Sequence, residues 1–316
     1  MAQLGVRPAR SRWGGLGRRA AMAALAVGAV TASAGGVASA TSTGARAAHA
    51  KRAGAPGSLK HLLPASIRRA GVIDVGGAEQ NPPILYLNIS GSKLTGVNYW
   101  LSNAMASLLG VKFKWISVQF SGLIPALQAN RIEMIFSSMD DTAVREQVVT
   151  FVDYMQDGAT FQVATGNPKH VNGLNDSLCG LTVSALQGSL QVGLLQSQSS
   201  ACTSSGKPAI TLLEYADVAE ARLAVQVGKA EAFFGSLASD LLYQTRQPNV
   251  FSVAPGPVYG KVPLAIGVPK GDMQLAKAIR AAIVELIHNG TYANDLKRFD
   301  LQSAQFKPGQ VVITGA

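Results

Sequence analysis

Short apolar runs bounded by polar residues or glycine alternate with longer stretches in which apolar residues return every three or four positions. Gly71-Val-Ile-Asp-Val75 reads as a strand, Asn81-Pro-Pro-Ile84 as a turn, and Tyr99 to Leu109 as a helix stopped by Gly110. Val111 to Val118 reads as a second strand. Ser121 to Asn130 reads as a short helix with Leu123, Ile124 and Leu127 on its apolar side, and Ile132 to Phe136 as a third strand. The rhythm restarts at Leu181-Thr-Val-Ser-Ala185. It continues through a helix from Ser189, a strand from Ile210 to Leu213, a helix from Asp217 to Val227 and a strand at Ala232-Phe-Phe234. Strands alternating with helices imply parallel pairing in an α/β sheet, and two such series imply two lobes.

Ligands of open α/β sheets bind beyond the carboxyl ends of the strands. Ser137 and Ser138, Gly188-Ser189, and Gly235-Ser236 all fall at such ends, which points to a cleft between the lobes. The segment after the third strand, Ser137-Ser-Met-Asp-Asp-Thr-Ala-Val-Arg145, carries the most chemistry. Thr142 can cap a helix start by accepting from its free N–H groups. A serine pair, those N–H groups and a guanidinium together form a receptor for a small carboxylate. Taken alone, Arg145 reads more simply as a solvated first-turn arginine.

The chain has 316 residues, 47% hydrophobic and 15% charged, which suits a packed globular protein of two lobes. Net charge is +10, but Arg7, Arg10, Arg12, Arg18 and Arg19 supply five of those charges near the N-terminus, leaving about +5 beyond residue 40. No basic stripe is interleaved with aromatics, so nucleic acid is not an expected partner. Residues 1–40 have the form of an export signal. Basic residues to Arg19 precede the apolar run Ala20 to Thr31, and Ala38-Ser39-Ala40 fits small-x-small cleavage. Arg18-Arg19 also permits twin-arginine export. No cysteine lies near that site, so a lipid anchor is not expected, and the mature protein is expected outside the cytoplasm. Residues 41–57 read as a flexible leader.

Cys179 and Cys202 form an isolated pair in an expected oxidising compartment, which favours a disulfide over a metal site. The loop they would close contributes around 3 kcal/mol in the chain-entropy model. His49, His61, His170 and His288 have no ligand spacing to either, so no metal or other cofactor is expected.

The ordered set Leu63-Pro-Ala-Ser-Ile-Arg-Arg-Ala-Gly-Val72, Asn81-Pro-Pro83, Phe120-Ser-Gly-Leu-Ile-Pro-Ala-Leu127, Ser137-Ser-Met139 and Arg145 resembles the family 3 extracellular solute-binding proteins, the amino-acid receptors of ATP-driven importers. Gln187-Gly-Ser189, Val227-Gly-Lys-Ala-Glu-Ala232 and Pro263-Leu-Ala-Ile-Gly-Val-Pro269 extend the match, which covers about residues 59 to 305. The cysteine arrangement resembles that of actinobacterial members. The resemblance implies a two-lobed periplasmic-binding-protein fold, each lobe a mixed sheet flanked by helices, joined by two crossing strands. Its expected boundaries are lobe 1 at 58–163, lobe 2 at 164–263 and a return to lobe 1 with C-terminal helices at 264–316. The crossings are expected near Thr160 to Ala164 and Leu264 to Val268. The implied protein is a monomer that closes on a carboxylate-bearing, amino-acid-like solute and delivers it to the membrane subunits of an ABC importer.

Functional positions carry over singly. Arg145 matches the arginine that grips the ligand carboxylate, and Ser138 matches the serine that assists it. Phe120 matches a residue packed on the ligand side chain; plain core packing is its other reading. Ser189, or Leu190 beside it, matches a second-lobe donor to the carboxylate, and Ser189 also reads as a helix N-cap. Four positions depart from the family. Ser236 stands where an acid usually pairs with the ligand ammonium. Asn81 precedes the Pro-Pro pair and Ile84 follows it, each where an aromatic is usual. Asp140 follows the serine pair, and reads either as a solvated or capping aspartate or as a substitute acid, with Asp141 and Glu79 as further candidates. Some relatives on this scaffold are cyclohexadienyl dehydratases, so an enzyme using Asp140 or Glu79 is an alternative reading. A sensor or interaction protein that no longer binds a ligand is another.

Overall fold

The structure, a computed structural model, describes residues 54–88 and 90–316; the expected export signal and the leader up to residue 53 lie outside the described residues. Residues 54–57, read as leader from the sequence, include an attachment point, because the Gly57 N–H donates to Ser107 O at 2.7 Å.

Two mixed sheets define the two lobes. The first orders its strands Ile313–Thr314, Val149–Gln156, Pro263–Pro269, Met134–Ile135, Val72–Gly77 and Lys112–Ser117. Val72–Gly77 pairs in parallel with Lys112–Ser117 and with Met134–Ile135, as the strand–helix rhythm predicts. The second sheet runs Thr211–Tyr215, Thr182–Leu186, Ala232–Ser236, Ala159–Ala164 and Phe251–Val253, with the first three strands parallel to one another. Antiparallel pairing enters both sheets where the chain changes lobe without an intervening helix.

The crossing itself is short. Val149–Gln156 belongs to the first sheet and Ala159–Ala164 to the second, with only Asp157 and Gly158 between them. The return leaves the second lobe after Tyr259, which bridges Ala159, and enters the first sheet at Pro263. The segments expected to cross, Thr160–Ala164 and Leu264–Val268, therefore lie inside sheet strands rather than between sheets. A Cβ on Gly158 would overlap Val258 and press on the Tyr259 carbonyl, so the two crossing segments approach closely only with glycine there.

Each lobe has its own core. In the first, Ile73, Val75, Tyr154 and Ile266 of the sheet, with Phe136 just beyond a strand end, pack with Met105 and Leu109 of helix Val97–Leu109 and with Ile279 of helix Met273–His288. Asp272 caps that last helix by accepting from the Leu275 N–H at 3.0 Å. In the second lobe, Phe161 stacks on Phe234 with ring centroids 4.2 Å apart, over Val183 and Leu195. Cys179 and Cys202 are bonded to each other, with Cys202 buried in this core on helix Leu190–Ser204.

Candidate functional site

The strand ends converge on one cleft. It is lined from the first lobe by Ala78, Gln80, Asn81, Phe120, Ser138, Asp140 and Leu264, and from the second by Leu186, Ser189, Gln191, Phe233 and Ser236, with Asp157 and Gly158 at the crossing. The gap between the walls holds a cavity of about 50 Å³, and the lobes touch across it. Gln80 Nε2 donates to Ala216 O at 3.2 Å, and its Oε1 accepts from the Val218 N–H at 3.0 Å. Arg145 Nη2 donates to Gly188 O at 3.1 Å.

Arg145 is held by local chemistry. Thr142 caps the one-turn helix Ala143–Glu146 by accepting from the Arg145 N–H. The side chain then folds back under the cleft, so Arg145 is no solvated first-turn residue: only 12% of it is exposed. Nη1 donates to Asp140 O at 2.8 Å and lies 3.6 Å from Asp140 Oδ2, while the guanidinium sits 5.5 Å from the Phe120 ring centre. Burial draws the guanidinium pKa below its ordinary value, against the pull of Asp140. Burial likewise pushes Asp140 up to about 6, and the positive charge of Arg145 limits the rise. Phe120 packs in the core with Leu123, Ile135 and Phe151, and it also lines the cleft.

The serine pair divides its labour. Ser137 is buried; its Oγ accepts from the Ala78 N–H and its carbonyl from Asn98 Nδ2. Ser138 faces the cleft, where its Oγ accepts from Asn81 Nδ2 at 2.9 Å. Ser189 stands in extended conformation at the start of helix Leu190–Ser204, and its buried Oγ has no hydrogen-bond partner. That orphan oxygen, at a helix N-terminus in the cleft wall, is a free polar group for an anionic ligand.

Ser236 caps helix Leu237–Arg246 and donates to Asp157 Oδ2 at 2.6 Å. Asp141 lies elsewhere, accepting from Thr314 Oγ1 beside the C-terminal strand, and neither Glu79 nor Ile84 lines the cleft. Gln80, Asp157 and Gln191 are polar cleft residues that the sequence pattern did not single out. Asp157-Gly158 carries a usable signal, an acid followed by glycine between apolar runs, but it joins two strands and does not lie at a strand end that leads into a helix.

Beneath the cleft floor, Arg222 donates to Gln162 Oε1 at 2.5 Å and to Ser239 Oγ at 3.0 Å, and lies 3.4 Å from Asp240 Oδ1. Its guanidinium lies 3.8 Å from the Tyr243 ring centre, and Phe233 covers its other side toward the cleft. Burial pushes Asp240 up to about 7 in spite of Arg222 and the Thr160 hydroxyl.

Two lobes joined by paired crossings, with polar strand ends facing one another across the gap, are the architecture of a receptor that closes on a small solute. The chain matches the family of bacterial extracellular solute-binding proteins, family 3, over residues 73–301, and it belongs to that family. It is 24% identical over 245 residues to an arginine-binding protein of Corynebacterium glutamicum, spanning 77% of this chain and 79% of that one. It is 31% identical over 225 residues to the lysine/arginine/ornithine-binding periplasmic protein of Escherichia coli, spanning 65% of this chain and 78% of that one. A solved structure of an ancestral arginine-binding protein bound to arginine matches with a TM-score of 0.66 at 28% identity, over 72% of this chain and 98% of that one.

Proposed function

We propose that the protein captures a carboxylate-bearing, amino-acid-like solute outside the cytoplasm, as a monomer, and delivers it by lobe closure to the membrane subunits of an ABC importer. The observation that carries the carboxylate is the orphan Ser189 Oγ at the N-terminus of helix Leu190–Ser204, in the wall of a cleft whose lining includes Asp140, with the Arg145 guanidinium standing behind Asp140 and outside the lining. Ser138 and Asn81 add neutral polar contacts, and Phe120 an apolar wall. Closure follows from differential contact: a solute touching both walls favours the state in which Gln80 and Arg145 reach the second lobe. The relatives are named as binding proteins for arginine and other basic amino acids, which supports a receptor over an enzyme.

The protein purified under denaturing conditions, refolded and screened by thermal shift against the standard amino acids and small organic acids tests this. A ligand at 100 times its dissociation constant adds about 2.7 kcal/mol to apparent stability. A folded protein stabilised by no amino acid in that screen would defeat the proposal. An oxidising address is supported by the Cys179–Cys202 bond, and non-reducing peptide mapping of the exported protein is expected to recover the two cysteines as one linked pair.

A further inference from the structure

Asp157 sits where the chain passes from the first sheet to the second, and it lines the cleft beside Gly158 and Ser236. Its carboxylate accepts from Ser236 Oγ at 2.6 Å and from the Ala238 N–H at 3.4 Å, both neutral donors. Among the described residues no lysine, arginine or histidine comes within ion-pair distance of it. The other cleft acid, Asp140, already has Arg145 at 3.6 Å. Asp240, the next carboxylate toward the second lobe, is tied to Arg222 at 3.4 Å. The cleft lining therefore presents two carboxylates; Asp140 is backed by the Arg145 guanidinium, and the uncompensated one is Asp157.

That arrangement is costly in the empty protein. A carboxylate surrounded by protein without a counter-charge loses hydration that neutral donors replace only in part. Burial accordingly raises the Asp157 pKa, with Ser236 and the neighbouring N–H groups opposing the rise. The exposure it retains faces the cleft on one side and, on the other, a cavity behind the crossing lined by Leu237, Leu241 and Phe299. Lys261 lines that rear cavity, outside ion-pair distance. A charge kept in such a place needs a partner that arrives with the solute.

We infer that Asp157 receives a cationic nitrogen of the solute, an ammonium or a guanidinium, with Ser236 holding its carboxylate toward the cleft. This rests on the cleft being the solute site, and it adds a charge rule: solutes carrying a cationic nitrogen are accepted and plain organic acids are refused, because the latter leave Asp157 uncompensated. It also accounts for serine at position 236. The acid that the family resemblance leads one to expect at that strand end stands instead at the crossing, and residue 236 has become its hydrogen-bond donor.

Calorimetry on wild type, Asp157→Asn and Ser236→Ala with four probes tests the assignment: L-arginine, L-citrulline, Nα-acetyl-L-arginine and succinate. Asp157→Asn keeps an acceptor for Ser236 and Ala238 but removes the charge. It is expected to weaken L-arginine binding about 30-fold or more and to leave the melting temperature of the empty protein equal or higher. Ser236→Ala is expected to weaken it less. Loss of citrulline binding in Asp157→Asn, with acetyl-arginine unaffected, assigns the α-ammonium; the reverse pattern assigns the guanidinium. Wild type that binds arginine, with Asp157→Asn within threefold of it, overturns the inference alone, as would wild type that binds succinate as tightly as arginine. A folded wild type that binds none of the three amino-acid probes overturns the solute reading and the inference with it.

Discussion

Replacing Gln80 by methionine isolates the energy of lobe closure. The side chain makes two hydrogen bonds to the facing lobe, one donated to Ala216 O at 3.2 Å and one accepted from the Val218 N–H at 3.0 Å. Methionine keeps the length and removes both. A net contribution of about 0.5 to 1.5 kcal/mol per hydrogen bond puts the loss at roughly 1 to 3 kcal/mol, or about 5- to 150-fold in affinity for the solute. Gln80 joins elements 138 residues apart and belongs to neither lobe's hydrophobic core, so the empty protein is expected to melt at nearly the wild-type temperature. Because these bonds break when the lobes part, the loss is expected chiefly in the dissociation rate. Stopped-flow fluorescence with a ligand found in the screen gives both rates. Wild-type dissociation in Gln80→Met would refute the latch, and so would an affinity loss matched by an equal loss of stability in the empty protein.

Three further outcomes follow from the same geometry. Arg145→Ala removes the bond to Gly188 and leaves Asp140 buried without its cation, so solute binding measured by calorimetry is expected to weaken by about 2 to 5 kcal/mol; unchanged affinity would return Arg145 to a purely structural role. Arg222→Met strands Asp240 beneath the second-lobe floor and is expected to cost about 3 to 5 kcal/mol in urea unfolding, whereas replacing Arg222 and Asp240 together by apolar residues is expected to cost much less. The third concerns pH. Asp153 is pushed up to about 8 by burial, then by Asp141 and Glu146, so the folded state holds a proton that the unfolded chain releases near 3.8. That stability is complete below about 4 and is lost as pH rises toward 8, so the melting temperature is expected to fall over that window, and Asp153→Asn is expected to flatten the fall.

Much of the cleft was legible because its parts follow one rule. Ser138, Ser189 and Ser236 each follow the end of an apolar run, and the topology brings those ends together, whereas Asn81 enters from the Pro-Pro turn. Strand Val149–Gln156 was harder to read. It is buried at every position but Gln156, with Thr150 and Asp153 inside, so it lacks the alternation that marks a half-buried strand. Missing that strand displaced both expected crossings by several residues and hid Asp157. The pairing of Asp140 with Arg145 depends on how a one-turn helix folds back, and the Gln80 contacts depend on lobe closure. Neither leaves a periodic trace in the sequence.

The location of Asp157 bears on how closure is coupled to binding. Gln80 and Arg145 reach the second lobe across the gap, so their contacts with Ala216, Val218 and Gly188 exist only while the lobes are together. Asp157 lies on the crossing itself, one residue from the glycine at which the two connecting segments touch. A group on the axis of a rotation is displaced least by it. In its inferred role Asp157 would thus offer nearly the same charge to a solute in the open and the closed state, and would contribute to capture in both. Ligands shift a conformational equilibrium only through differential contact. The drive to close must then come from groups far from the axis: Ser189 and Gln191 on one wall, Ser138, Asn81 and Phe120 on the other. A solute that satisfied Asp157 alone would be bound without closing the lobes. One that also carries a carboxylate to the Ser189 wall would be bound and closed upon. With Asp157 and Ser189 in the roles proposed, charge at the crossing and the carboxylate at the Ser189 wall would be read at two separate steps, and only a molecule bearing both would complete the motion.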